Sequence, residues 1–185
     1  MIQGDMSDTT NVVSVTERAR RVRVAAFDVD GILTDGRLYY TDSGEEIKAF
    51  NAQDGHGIKM LRDSGVAVAI ITSRTSRVVE RRARDLGIEH LYQGVANKLD
   101  TMNDLLKRLG LDLQAASYMG DDVIDLPVLR RCGLAVSVPE APAVVRKHAH
   151  FVTHAQGGCG AVREFSEWVM QAQGTLDARL AEYLA

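Results

Sequence analysis

Cysteine is scarce in this chain: only Cys132 and Cys159 occur. They are too few and too far apart for a disulfide framework or a thiolate zinc site, and a reducing, cytoplasmic setting is expected. Positive charge is not in excess either. The 22 Lys and Arg against 25 Asp and Glu leave a net charge of −3, which provides no basic footprint for nucleic acid or an anionic membrane. No apolar run reaches membrane-spanning length. The opening "MIQGDMSDTTNVVSVTERARR" carries early acidic residues and no apolar block, so no signal peptide is expected. There is no internal repeat and no low-complexity tract. What remains is an ordinary soluble composition, 45% apolar and 25% charged over 185 residues, enough for one domain around one core.

Short runs rich in Val, Ile and Ala recur: "VRVAAFDV" (22–29), "VAVAIIT" (66–72), "IEHLYQG" (88–94), "AASYMGD" (115–121), "LAVSV" (134–138) and "HFVT" (150–153). They are too short for core helices and read as strands. Between them, "GIKMLRDSG", "SRVVERRARDLG" and "NKLDTMNDLLKRLG" read as helices with glycine stops, as does the amphipathic "GAVREFSEWVMQAQG" near the end. The alternation predicts an α/β fold, a Rossmann-like, doubly wound, mainly parallel sheet. "GRLYYTDSGEEIKAF" breaks it: two strand-like pieces flank the turn signal "TDSG", predicting a β-hairpin flap over 36–50 and no separate cap domain. The expected organisation is an N-terminal arm or short helix over 1–19, one domain over 20–174, and a weakly helical tail over 175–185.

In such sheets ligands bind at the carboxyl ends of the strands. Three predicted strands end there in polar residues: Asp28 and Asp30, then "TSR" (72–74), then "GDDVID" (120–125). Asp28 and Asp30 share a strand face, with Gly31 permitting the turn that follows. Clustered carboxylates resist joint ionisation unless a cation lies between them. Asp121 and Asp122 add oxygen donors, and magnesium suits such a set. The chemistry that follows is phosphoryl transfer. Asp28 attacks phosphorus, Asp30 protonates the leaving alcohol and then activates water, Thr72 donates to a phosphoryl oxygen, and Lys98 offsets anionic repulsion.

The stretch Asp28-Val-Asp-Gly-Ile-Leu-Thr-Asp35, with Thr72, Lys98 and "GDDVIDLP" (120–127), resembles the four motifs of the haloacid dehalogenase superfamily, in order and spacing, over roughly residues 22–170. Within it the hairpin, "FNAQDGHGIK" (50–59), "YQGVANK" (92–98) and "QGGCGAVREF" (156–165) are similar to the 3-deoxy-D-manno-octulosonate 8-phosphate phosphatase family. That resemblance implies hydrolysis of a phosphorylated eight- or nine-carbon keto sugar acid on the route to lipopolysaccharide. It implies Mg2+ held by Asp28, the backbone carbonyl of Asp30, and Asp121. It also implies a homotetramer in which the hairpins meet and neighbouring subunits help close each site. The expected substrate contacts are Thr34, Asp54, Ser73, Arg74, Gly157 and Gly158, with Asp122 and Asp125 in support. Two positions depart from the family pattern, Gln53 and Cys159, where it usually carries cations.

Plainer roles stand beside these. Asp35 can cap the hairpin turn, Asp54 can be a helix N-cap, Asp125 can begin a helix, and "AQGGCGA" can be a connector as well as a closing loop or anion nest. Arg81, Arg82 and Arg84 read as a solvated helix face. Two other functions fit part of the pattern. One is a phosphatase for a nine-carbon sialic-type acid phosphate. The other is a phospho-receiver signalling domain, which would need an acceptor Asp, a Thr and a Lys but no acid two residues after the acceptor.

Overall fold

The computed structural model describes residues 13–184. The first helix, α1 (Val15–Arg21), starts where the Ser14 hydroxyl accepts from the Glu17 N–H, and it buries Ala19 against the body. Residues 15–19, expected in an arm or short helix, lie in this helix. Residues 1–12 of that arm lie outside the described residues.

Strand β1 (Val24–Phe27) is buried along its whole length, so no alternation marks it; it carries apolar side chains to both faces. Hairpin strands β2 (Tyr39–Tyr40) and β3 (Glu46–Ile47) pair antiparallel. Their turn closes through Thr41 and Gly44, the latter at φ +83°. Helix α2 (Ala52–Asp63) leads to β4 (Ala67–Ile71), α3 (Arg77–Leu86) to β5 (His90–Tyr92), and α4 (Lys98–Leu109) to β6 (Ala116–Met119). The chain ends through α5 (Leu126–Leu129), β7 (Leu134–Ser137), α6 (Ala143–Arg146), β8 (Phe151–Val152), α7 (Ala161–Gln173) and α8 (Leu176–Leu184). The one-turn helices α5 and α6 are too short to show a periodicity in sequence.

Six strands form one sheet in the order β5-β4-β1-β6-β7-β8, with every neighbouring pair parallel. Helices cover both faces, as parallel sheets require. On one face α2 and α7 pack together, and Phe165 of α7 meets Phe27 edge-on at 5.7 Å. At the sheet edge Trp168 stacks on Phe151 at 4.4 Å. After β1 the chain winds outward to β4 and β5, then returns to place β6 on the other side of β1. That reversal opens a crevice beyond the ends of β1 and β6. Because the strands are parallel, Asp28, Thr72 and Gly120, each one residue past a strand, arrive at the same rim.

Candidate active site

Asp28 stands in the crevice. Its side chain is 7% exposed, with Oδ1 accepting from the Val29 N–H at 2.7 Å and Oδ2 from Lys98 Nζ at 2.6 Å. Lys98 opens α4, where a cation gains nothing from the helix dipole. It is there for its partners: Nζ also reaches Asp125 Oδ1 at 2.7 Å, and the side chain is 2% exposed. Burial works against its charge, but Asp28 and Asp125 outweigh that and hold the ammonium above its ordinary range.

Asp125 organises the crevice floor. Oδ1 accepts from Lys98 and from the Tyr118 hydroxyl at 2.8 Å; Oδ2 accepts from the N–H groups of Asp121 and Asp122 at 3.0 and 3.1 Å. Both oxygens are thus fully engaged. Gly120 makes room, since a Cβ there would overlap the Asp125 carboxyl group.

Asp121 is the opposite case. Its Oδ1 is buried and has no hydrogen-bond partner, an arrangement that costs free energy unless something else occupies the site. Burial first, then the charges of Asp28 and Asp125, push its carboxyl up to about 7. Burial and Asp125 likewise push Asp28 to about 6, against the pull of Lys98. Oxygens of Asp28, Asp121 and Asp125 lie within 4.8 Å of one another. With Asp125 already committed, Asp28 and the orphaned oxygen of Asp121 are the pair that a hard divalent cation would join, and all-oxygen donors fit such an ion. Gly31, at φ +84°, is required beside them, because a Cβ would run into the Asp121 carboxylate.

Asp30 points the other way, toward the hairpin. Its Oδ1 pairs with Lys48 Nζ, and Arg74 Nε lies 3.6 Å from Oδ2. Arg74 reaches Glu46 at 2.9 Å, and Glu46 lies 3.3 Å from Lys48. Four alternating charges close a ring, two from the rim and two from the flap. Asp28, Asp30, Thr72, Ser73, Arg74, Asp121 and Asp122 line one cavity of about 290 Å³, closed at the sides by Leu38 and Ile124. Thr72 is buried, its hydroxyl oxygen receives only a 3.5 Å contact from the Arg74 N–H, and its proton is free for a ligand. Asp122 Oδ1 caps the short turn at Val123.

Other residues expected here do not line this cavity. Thr34 is buried, and its hydroxyl joins Val29 and Gly36 within the loop after β1. Asp54 does not cap its own helix; Asn51 does. The Asp54 carboxylate instead accepts from the N–H groups of Gly160 and Arg163, at 3.2 and 2.8 Å, and so caps α7 from across the core. Gly157 and Gly158 lie flat against the loop after β1. The Gly158 N–H donates to Ile32 at 2.9 Å, and a Cβ on either glycine would strike backbone atoms of Gly31 or Thr34. Gly157 also lines a neighbouring cavity that Asp121 borders. Gln53 is exposed, and exposed Cys159 borders a neighbouring cavity with Arg37 and Asp121. Asp35 caps the hairpin entry through the Arg37 N–H and the Tyr39 hydroxyl. Arg82 is half-buried; it donates to the Asn51 carbonyl and lies over Phe50. Lys48, Glu46 and Tyr118 were not anticipated. Tyr118 alone carried a signal, a phenol in a fully buried core strand.

A parallel sheet reverses at a crevice lined with carboxylates, one of them paired with a buried lysine, and the family model of haloacid dehalogenase-like hydrolases matches residues 90–164. Among relatives, a 3-deoxy-D-manno-octulosonate 8-phosphate phosphatase from Salmonella typhi is 47% identical, over 88% of this chain and 87% of its own. The chain belongs to that family of phosphatases, which are phosphoric monoester hydrolases. Solved relatives agree. The Moraxella catarrhalis phosphatase, crystallised with a magnesium ion, a phosphate ion and 3-deoxy-D-manno-octulosonate, superposes with a TM-score of 0.90 at 43% identity, covering 91% of this chain and 97% of that one. The cobalt-bound Haemophilus influenzae phosphatase gives 0.86 at 38%, covering 91% and 99%.

Proposed function

We propose that this protein hydrolyses 3-deoxy-D-manno-octulosonate 8-phosphate to the sugar acid and phosphate, in the supply of lipopolysaccharide precursors, with Mg2+ as cofactor. The observation that carries the reading is the placing of Asp28 against Lys98, beside an unpartnered oxygen of Asp121. The family relationship supports the sugar acid.

Asp28 and Asp121 would hold the cation, together with the backbone carbonyl of Asp30. When bound, it supplies positive charge that draws in the phosphoryl oxygens and relieves the repulsion among the carboxylates. Asp28, fixed by Val29 and Lys98, forms a bond to phosphorus as the bond from phosphorus to the sugar oxygen breaks. Asp30 gives its proton to that departing oxygen, then takes one from the water that cleaves the aspartyl-phosphate. Thr72 and Ser73 face the phosphoryl group from the end of β4, and Arg74 faces the anionic sugar acid from the cavity mouth. The subunit arrangement we favour is a tetramer meeting through the flaps. Leu38, Tyr39, Tyr40 and Ile47 expose apolar surface there, more than a lone flap would leave to water. Among the described residues no helix is long and apolar enough to cross a membrane, which accords with a cytoplasmic sugar substrate.

The test is phosphate release from a panel of sugar phosphates, with and without magnesium. The eight-carbon keto acid phosphate should show the highest kcat/KM, and chelation should abolish turnover. A large preference for a nine-carbon sialic-type acid phosphate would replace the substrate, and a long-lived phosphorylated Asp28 without turnover would replace the function with that of a signalling receiver.

A further inference from the structure

Lys48 is the least expected charge in the molecule. It sits just past β3 on a two-stranded flap, yet its side chain is 2% exposed, although lysine is among the residues least often buried. It touches two carboxylates and lies outside the crevice that holds Asp28. The ring it completes has a definite division of labour. Lys48 Nζ pairs with Oδ1 of Asp30, and Arg74 Nε stands off from Oδ2 at 3.6 Å. One oxygen is thereby pinned; the other has only Arg74 at longer range, on a residue that lines the cavity. Glu46 binds both cations. Arg74 is 44% exposed and can turn toward a ligand; Lys48 cannot.

We propose that Lys48 is a positioning residue for Asp30: a flap lysine that fixes the acid–base carboxylate with its free oxygen toward the leaving group, so that the active site is assembled only while the flap is docked. The proposal rests on the reading of Asp30 as proton donor. Rates of proton transfer depend on donor geometry at the scale of a hydrogen bond, and a positioned donor contributes about 10²–10⁴-fold. A carboxylate free to rotate at the cavity mouth would forfeit part of that.

The experiment is a series of substituted phenyl phosphates, none bearing a carboxylate, whose leaving groups span a range of acidity. We would measure log kcat/KM, which covers the steps up to departure of the phenol, for the wild type, Lys48→Met, Lys48→Gln and Asp30→Asn. A departing oxygen left unprotonated makes the rate depend more steeply on leaving-group acidity. Lys48→Met should steepen the plot in the same sense as Asp30→Asn, losing about 10–100-fold on the poorest leaving groups and under about threefold on nitrophenyl phosphate. Lys48→Gln, which keeps a donor toward Asp30, should fall between wild type and Lys48→Met. A uniform drop across the series in both Lys48 variants, with Asp30→Asn still steepened, would overturn the positioning role and leave Lys48 a phosphate contact or a structural residue. If Asp30→Asn itself leaves the slope unchanged, the reading of Asp30 fails first and the proposal with it.

Discussion

Gly157 lies directly over the carbonyl of Gly31, so close that a Cβ on the former would overlap the carbonyl oxygen of the latter. The loop ahead of α7 thus braces the turn that holds Asp30. Gly157→Ala must displace that turn or the loop over it. The variant should lose stability by an amount typical of overpacking, about 1–3 kcal/mol, and lose kcat as well. Thermal melts and phosphate release measured together check this; unchanged kcat would show that the brace does not reach the chemistry.

Asp54→Asn separates binding from folding. With both carboxylate oxygens accepting from N–H groups at the start of α7, Asn replaces one acceptor by a donor, which should cost about 1–3 kcal/mol and leave KM for the sugar phosphate unchanged. A KM rise of tenfold with unaltered stability would return Asp54 to the substrate site.

The reason Asp54 misled is instructive. Its position after Asn51 and before a helical run satisfies the local rule for an N-cap, and "QDG" resembles a family motif, but its partners lie more than a hundred residues away on α7. Tertiary partners of that kind leave no local mark. The strands were legible because unbroken runs such as "VAAF" and "AVAII" are what a sheet buried on both faces demands. The rim residues followed from parallel strand ends. Lys48 was invisible because a strand of two residues carries no alternation to say which way it points. Tyr118 was half visible: a phenol in a core strand needs an acceptor, but which acceptor only the fold decides.

Lys98→Met removes the one cation between two buried carboxylates, and breaking such an ion pair from one side costs about 3–5 kcal/mol. Turnover should vanish and chemical denaturation should shift to lower denaturant. Lys98 held its charge only through Asp28 and Asp125, so a double variant Lys98→Met, Asp125→Asn should recover part of the stability and none of the activity.

The pH dependence of stability has a definite sign. Asp28 and Asp121 are raised from 3.8 to about 6 and about 7, so metal-free protein takes up protons on folding between those limits. Stability is greatest below pH 4 for these two groups, falls as pH rises to about 7, and is flat above, by an amount on the order of a few kcal/mol. Magnesium should reverse the trend by favouring both carboxylates, so its effect on Tm should grow from pH 5 to pH 8. A magnesium effect independent of pH would place the ion elsewhere.

The central claim is that an oxygen of Asp28 carries the phosphoryl group. The direct measurement is a single turnover at enzyme excess with magnesium and the sugar phosphate, quenched into borohydride, which reduces an aspartyl-phosphate to homoserine. The expected result is homoserine at position 28 in the peptide map, appearing with release of the sugar acid, decaying as phosphate forms, and absent from Asp28→Asn. Full release of phosphate with residue 28 never reduced at any time, or reduction at another residue, would contradict it.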